Sequence, residues 1–227
     1  ALAAAVLKAV NSSLYGLSGR VQTVQQSITY LGTREVAGIV LEIGLRAVFP
    51  PTAELQAIWL RAGPRGLVMG RLAASLQMDA WAAHSAGLFE ECGKAVLFRH
   101  APDHYRSVLR AASNDTELVE LEGAAFGVSH DALGAALCES WGLSPAAVVS
   151  VRHHVAAQAE FDVPQGPNRR SILALSVVAA SIHDADDAVL DERVLRIAPL
   201  CDLDTHGLLR AARRVQGQLA QALAHGR

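Results

Sequence analysis

Apolar residues recur every three or four positions along almost the whole chain, from Val6 and Val10 near its start to Leu208, Ala212, Val215, Leu219 and Leu223 near its end. That spacing matches the 3.6-residue turn of an α-helix. No Asn-Gly hairpin pair and no sustained apolar–polar alternation interrupts it. The expected fold class is therefore all-α. With 227 residues, 51% of them hydrophobic, the chain can bury a substantial core in one large domain or two small ones.

Caps and breakers set the expected helix limits. Residues 1–10 read as a helix that stops at Asn11-Ser12-Ser13-Leu14-Tyr15-Gly16. A helix over 21–31 ends on Gly32, and one over 34–49, capped by Thr33, ends on Pro50-Pro51. Val36, Ile39, Val40, Ile43 and Val48 form its core-facing stripe. A helix over 53–77 is expected to break near Gly63-Pro64. Asp79 caps the helix that carries Trp81, His84, Leu88 and the pair Glu90-Glu91, and Ala101-Pro102 separates it from a helix over 103–112. Asn114-Asp115-Thr116-Glu117 resembles a capping box for a helix to Phe126. Ser129 caps one over 130–141, and Ser144-Pro145 opens one that runs to Ala157. Residues 160–170, with Pro164, Gly166, Pro167, Asn168 and paired arginines, are the clearest loop. Ser171 caps a very apolar helix to about His183, a polar break follows over 184–187, and helices over 192–197 and 205–224 finish the chain.

The formal charge of -2 gives no global pull toward nucleic acid or an anionic membrane. The three cysteines, Cys92, Cys138 and Cys201, are far apart and form no Cys-x-x-Cys pair, which fits a reducing cytoplasm better than a disulfide framework or a zinc ribbon. No apolar run approaches the ~20 residues that span a bilayer. The longest, residues 171–182, reads as a buried helix. The apolar N-terminus lacks a basic leader and a clear cleavage site, so no signal peptide is expected. It also begins inside a helix without a methionine, so residues are expected ahead of Ala1 in a longer parent chain. Eighteen arginines against two lysines, with abundant alanine, point toward a GC-rich bacterial genome.

Candidate chemistry centres on carboxylates and histidines. Neighbouring helical residues point about 100° apart, so His153 and His154 cannot easily bind one ion. There is no His-Glu-x-x-His motif, no phosphate-binding Gly-x-x-x-x-Gly-Lys-Ser/Thr loop and no Gly-x-Ser-x-Gly elbow. On residues alone, His153 reads more readily as a structural or surface histidine than as a ligand, and so does His130 in a first helical turn. Two adjacent glutamates usually mark a solvated face, and Glu90 stands in favourable i,i+4 order with Lys94. The apolar flanks of Glu90 and Glu91 point the other way, toward a core boundary where a carboxylate needs a cation or hydrogen-bond donors. The arginines of the last helix, Arg210, Arg213 and Arg214, could bind an anion or a partner, although a solvated basic face is the plainer reading. They are too few for a nucleic-acid footprint.

In order along the chain, several segments together resemble the HDOD family (HD-related output domain) of bacterial signalling proteins. They are Val6-Leu-Lys-Ala-Val-Asn11-Ser-Ser-Leu-Tyr-Gly16, Gln26-Ser-Ile-Thr-Tyr-Leu-Gly32, Ile58-Trp59, Gly87-Leu-Phe-Glu-Glu-Cys-Gly-Lys94, Glu122 with Phe126-Gly-Val-Ser-His130, Trp141-Gly-Leu143 and Val151-Arg-His-His154. The likeness runs from about residue 2 to 183. It implies a multi-helix core related to HD phosphohydrolases, with an N-terminal helical lobe. In catalytic HD relatives, histidines, a His-Asp pair and a late aspartate hold metal that activates water against a phosphoester. By resemblance, the first histidine position falls near Arg61, the His-Asp pair on Glu90-Glu91, later histidines on His130 and on His153 or His154, and the aspartate near Ser181. A guanidinium at position 61 would repel a divalent ion, and the central imidazole is lost.

The expectation is a non-catalytic regulatory domain with no catalytic residues, no cofactor and no bound metal. Its degenerate pocket would comprise Arg61, Glu90, Glu91, His130, His153 and His154, with Arg61 paired to Glu90 or Glu91. It would act in the cytoplasm on a signalling protein partner or a small anionic ligand, without nucleic acid or membrane. The alternative is a metal-dependent phosphohydrolase or phosphodiesterase using Glu90, Glu91, His130 and His153. The expected organisation is a lobe over 1–51 and a core over 52–185, with a helical extension over 186–227 packed on them.

Overall fold

The computed structural model of the chain describes residues 2–12, 15, 21–49, 52–166, 171–182 and 187–225. Among them are twelve α-helices and no strand. α1 (Leu2–Val10) and α2 (Val24–Ala47) pack on each other around Val6, Val10, Val21, Val36 and Ile39. A larger apolar cluster runs from Leu45 to Leu219. It joins α3 (Ala53–Ser75), α4 (Ala80–Phe89), α5 (Cys92–His100), α6 (Pro102–Ala111), α7 (Asp115–Phe126), α8 (His130–Ser140), α9 (Pro145–Glu160), α10 (Ser171–Ser181), α11 (Asp187–Leu200) and α12 (Thr205–His225). α10 lies at the centre, against α9, α3 and α11. Nine of its eleven residues are buried, as a helix apolar on every side requires.

Several helix limits differ from the sequence expectation, each for a local reason. α2 begins at Val24 rather than at Val21, because Thr23 caps it in a reciprocal box with Gln26. Val21 is instead pinned outside the helix by both atoms of the Asn11 side-chain amide. Gly32 (φ 83, ψ 160) breaks the helical geometry inside α2 at the expected stop. Of the expected stripe, Val40 on α2 and Val48 just past its end are exposed, and Leu45 in the last turn of α2 is buried instead.

α3 passes unbroken through Pro64. Proline removes the donor to the Leu60 carbonyl, but Leu60 is 71% exposed, so water can serve that oxygen. α3 ends at Ser75, short of Gln77, whose positive φ of 57° turns the chain out of the helix. Ser129 does not cap α8; its hydroxyl donates to Asp131 instead. α11 is fourteen residues long, well beyond the expected 192–197, and Asp204 caps α12 through the His206 and Gly207 amides. Ser13, Leu14, Gly16, the Pro50-Pro51 stop, residues 167–170 and 183–186, and the Leu223 side chain lie outside the described residues.

Two close helix crossings position the site. A Cβ on Gly87 of α4 would lie 2.7 Å from the Met69 sulfur and 3.0 Å from the Arg65 backbone of α3. A Cβ on Gly93 of α5 would lie 2.0 Å from the His130 carbonyl oxygen at the start of α8. Only glycine permits either approach. Together they bring α3, the α4–α5 junction and the α8 N-terminus to one place.

Candidate functional site

Glu90 and Glu91 do not sit mid-helix as expected. Glu90 closes α4, and Glu91 (φ -97, ψ 7) turns the chain into α5. Both are buried, at 0% and 6% exposure. Arg61 of α3 reaches Glu91 with two hydrogen bonds, Nε to Oε2 at 2.9 Å and Nη2 to Oε1 at 3.1 Å. Lys94, in the first turn of α5, donates to Glu91 Oε1 at 2.9 Å and to Asp115 Oδ1 at 2.8 Å. Lys94 therefore pairs with Glu91 rather than with Glu90. Arg65, one turn after Arg61 on the same face of α3, donates to Glu90 Oε2 at 2.7 Å. Three cations thus face three carboxylates at the α3–α4–α5 crossing.

The titration of these groups follows from that pairing. Burial alone would raise the Glu91 carboxyl, but the charges of Lys94, Arg61 and Arg65 and the Arg61 hydrogen bonds outweigh it and hold the group down at about 2. Burial works to lower Lys94 and Arg65, yet their carboxylate partners raise both above the ordinary value. Burial opposes ionisation of Asp115 as well, and Lys94 lowers it all the same.

A second buried network adjoins the first. Glu122 of α7 accepts from the His130 backbone N–H at 2.6 Å, from its ring Nδ1 at 2.7 Å and from the Tyr105 hydroxyl at 2.5 Å. The α8 N-terminus is therefore served by a carboxylate from another helix in place of Ser129. The phenol of Tyr105 is raised by burial and then by the Glu122 charge. His154 of α9 donates from Nδ1 to the Val151 carbonyl at 2.8 Å, and its ring lies 5.6 Å from that of His130. Burial lowers the His154 imidazole, against the pull of Glu90. Gln158 bridges Glu90 and Ser176 of α10. His153, next along α9, is only half-buried and neighbours Arg152, Asp131 and Asp162 instead. The structure thus gathers Arg61, Glu90, Glu91, His130 and His154, and turns His153 away.

The resemblance to HD phosphohydrolases raises the question of a metal. Two features resemble a metal site: both imidazoles are oriented through Nδ1, and His130 Nε2, His154 Nε2 and Glu90 Oε1 are buried without a partner among the described residues. The charge balance argues against one. Glu91 is saturated by two cations, Glu90 is held by a third, and Ser181, at the aspartate position, offers no carboxylate. Among the described residues, no three His, Cys, Asp or Glu side chains are placed to hold one ion. The donor set present does not fit a divalent metal.

Arg65, the Lys94–Asp115 contact, Glu122, Tyr105 and Gln158 were not part of the expected site. Arg65 carried a signal in its i,i+4 spacing from Arg61. The others are brought in by helix packing, from 17 to 68 residues away in sequence in the Tyr105–Glu122, Lys94–Asp115 and Gln158–Glu90 contacts.

Comparison with known proteins identifies the family and agrees with the all-α fold. The HDOD domain model matches residues 1–157. A protein of Treponema pallidum (strain Nichols), described as uncharacterized, is 25% identical over 187 residues, covering 80% of this chain; the chain spans 35% of that relative's length. An HDOD domain protein of Geobacter sulfurreducens shares the fold at a TM-score of 0.69 and 17% identity, over 98% of this chain and 80% of that one. A provisionally assigned phosphohydrolase of Shewanella amazonensis SB2B does so at 0.67 and 16%, over 97% and 83%. No described helix is long and apolar enough to cross a membrane.

Proposed function

The chain belongs to the HDOD family, and from that premise we propose that it is a non-catalytic signal-transduction output domain of a bacterial cytoplasm. It acts through contact with a protein partner or a small anionic ligand. The observation that carries the reading is the saturation of Glu91 by Arg61 and Lys94. A carboxylate so paired is a poor ligand for a divalent cation, since metal binding would displace Arg61 and Lys94 from it and set two positive charges beside the ion. No nucleophile with an adjacent base replaces the lost chemistry among the described residues. Arg61 is the outward edge of the cluster, with its side chain 50% exposed. Its Nε and Nη2 hold Glu91, which leaves Nη1 for an incoming carboxylate or phosphate. The proposal keeps a lobe over 1–51, a core over 52–185 and an extension over 186–227.

The test is metal analysis of the purified protein, together with hydrolysis of bis(p-nitrophenyl) phosphate in added Mn²⁺. Substoichiometric metal and no turnover are expected. The competing reading, a metal-dependent phosphohydrolase, draws on the partnerless Nε2 atoms of His130 and His154. Stoichiometric Mn, Fe or Zn, with turnover abolished by Glu91→Ala, would establish it instead.

A further inference from the structure

Two cavities, about 520 Å³ and about 300 Å³, lie along one side of α12 and share Ser75 and Arg214. The first is walled by Tyr15, Glu35, Arg71 and Gln218, the second by Gln77, Gly207 and Arg210. They form one trough between α12 and the last turn of α3. From Gly207 to Ala222 the trough follows α12 for ~22 Å, at 1.5 Å per residue.

The lining is cationic and amide-rich. Arg71 meets Glu35 at 3.4 Å, and Glu35 is the one carboxylate among the described residues of the walls. Arg210 comes only within 3.9 Å of Asp204, with both side chains more than two-thirds exposed, a contact worth little. Arg214 is exposed and makes no ion pair among the described residues. Ser75, Gln77 and Gln218 add hydroxyl and amide groups that match a peptide backbone as donors and acceptors. The opposite side of α12 is fixed, because Leu208, Ala212, Val215 and Leu219 are buried in the core. α12 also lies wholly outside residues 1–157, so the trough is built jointly by the family-matching part and the helix beyond it.

We propose that this trough binds an acidic, extended segment of the partner protein. The spread of the cations along the trough favours a chain over a single small anion, and ~22 Å accommodates about seven extended residues at ~3.3 Å each. Carboxylates on the segment pair with Arg71, Arg210 and Arg214, while its backbone meets the glutamines. Nucleic acid is disfavoured, because three arginines neutralise few phosphates on a chain of net charge -2. That the segment belongs to a signalling partner rests on the regulatory reading above; the trough itself does not.

The test is fluorescence anisotropy of the full chain with a dye-labelled peptide of about seven alternating glutamates and alanines. Binding at low salt is expected, with a loss of about tenfold or more in Arg214→Glu. Arg110→Glu on the far helix α6 should leave binding unchanged. A lysine–alanine peptide should not bind, and thermal unfolding should show both variants folded. The proposal is overturned if the wild type fails to bind, or if Arg214→Glu binds as well as the wild type. Displacement of the peptide by inorganic phosphate or a short oligonucleotide at equal or lower concentration also overturns it. None of these outcomes alters metal content or phosphodiester turnover, so failure of the trough is distinguishable from failure of the regulatory reading.

Discussion

Replacing Glu91 by glutamine removes the buried one of the two carboxylates that hold Lys94, a lysine 5% exposed, and leaves it only the half-exposed Asp115. Because Asp115 still holds Lys94, the cost should fall below that of a wholly stranded charge, at about 1–3 kcal/mol. The double change Glu91→Gln with Lys94→Gln should recover part of that, because the charges that then lose a partner, Arg61 and Asp115, are half-exposed rather than buried. Urea unfolding of both variants measures this, and a loss below about 0.5 kcal/mol for the single change would mean that Glu91 is a solvated surface group after all. His84 supplies the pH-dependent counterpart. Burial holds its imidazole down at about 4, against an ordinary value of 6.5. A group with a depressed folded value binds more protons when unfolded, so its stabilising contribution is whole above pH 6.5 and is lost as the pH falls toward 4. The contribution is about 3 kcal/mol. Stability measured from pH 7 to 4 should fall less steeply in His84→Gln than in the wild type.

Among the elements, the α5–α8 contact is the least tolerant of change. Gly93→Ala would place a Cβ 2.0 Å from a backbone oxygen, which cannot move aside as a flexible side chain can. α5 and α8 must then separate, at a cost of about 3 kcal/mol or more. Gly123 is the contrast within α7, since an added Cβ meets nothing within 4 Å. Gly123→Ala should therefore stabilise the protein by about 0.4–1 kcal/mol. Thermal melts of the two variants should shift in opposite directions.

For the whole molecule, the family match stops at residue 157, inside α9, but the core does not. Leu173, Leu175, Val177 and Val178 of α10 are at 0% exposure, and Leu190, Val194, Leu208 and Val215 continue the same cluster. Each buried Leu or Val contributes about 1.5–3 kcal/mol, so these eight together match or exceed the ~5–15 kcal/mol margin of a domain. A chain ending at residue 160 should lose cooperative unfolding and bind a hydrophobic dye. Calorimetry on that chain and on the full one checks this, and a sharp transition in the shorter chain would show that α10 to α12 are dispensable.

What the residues alone determined was local. Periodicity and caps placed most of the helices, because those signals act within one or two turns: Asp79, Asn114 and Ser144 cap α4, α7 and α9 as side-chain acceptors. The family likeness carried Arg61, Glu90, Glu91, His130, His153 and His154 to one site; Arg61 does meet Glu91, and His153 turns away from it. Only the tertiary structure decided the rest. Pro64 could sit inside α3 because its helix face is wet, and Glu122 could serve α8 because α7 packs beside it. The Glu90-Glu91 pair became a neutralised ion-pair cluster because the glycine crossings set Arg65, Lys94 and Asp115 around it. The charge state of a buried carboxylate depends on cations that are neighbours in space, and one-dimensional spacing does not encode which they are.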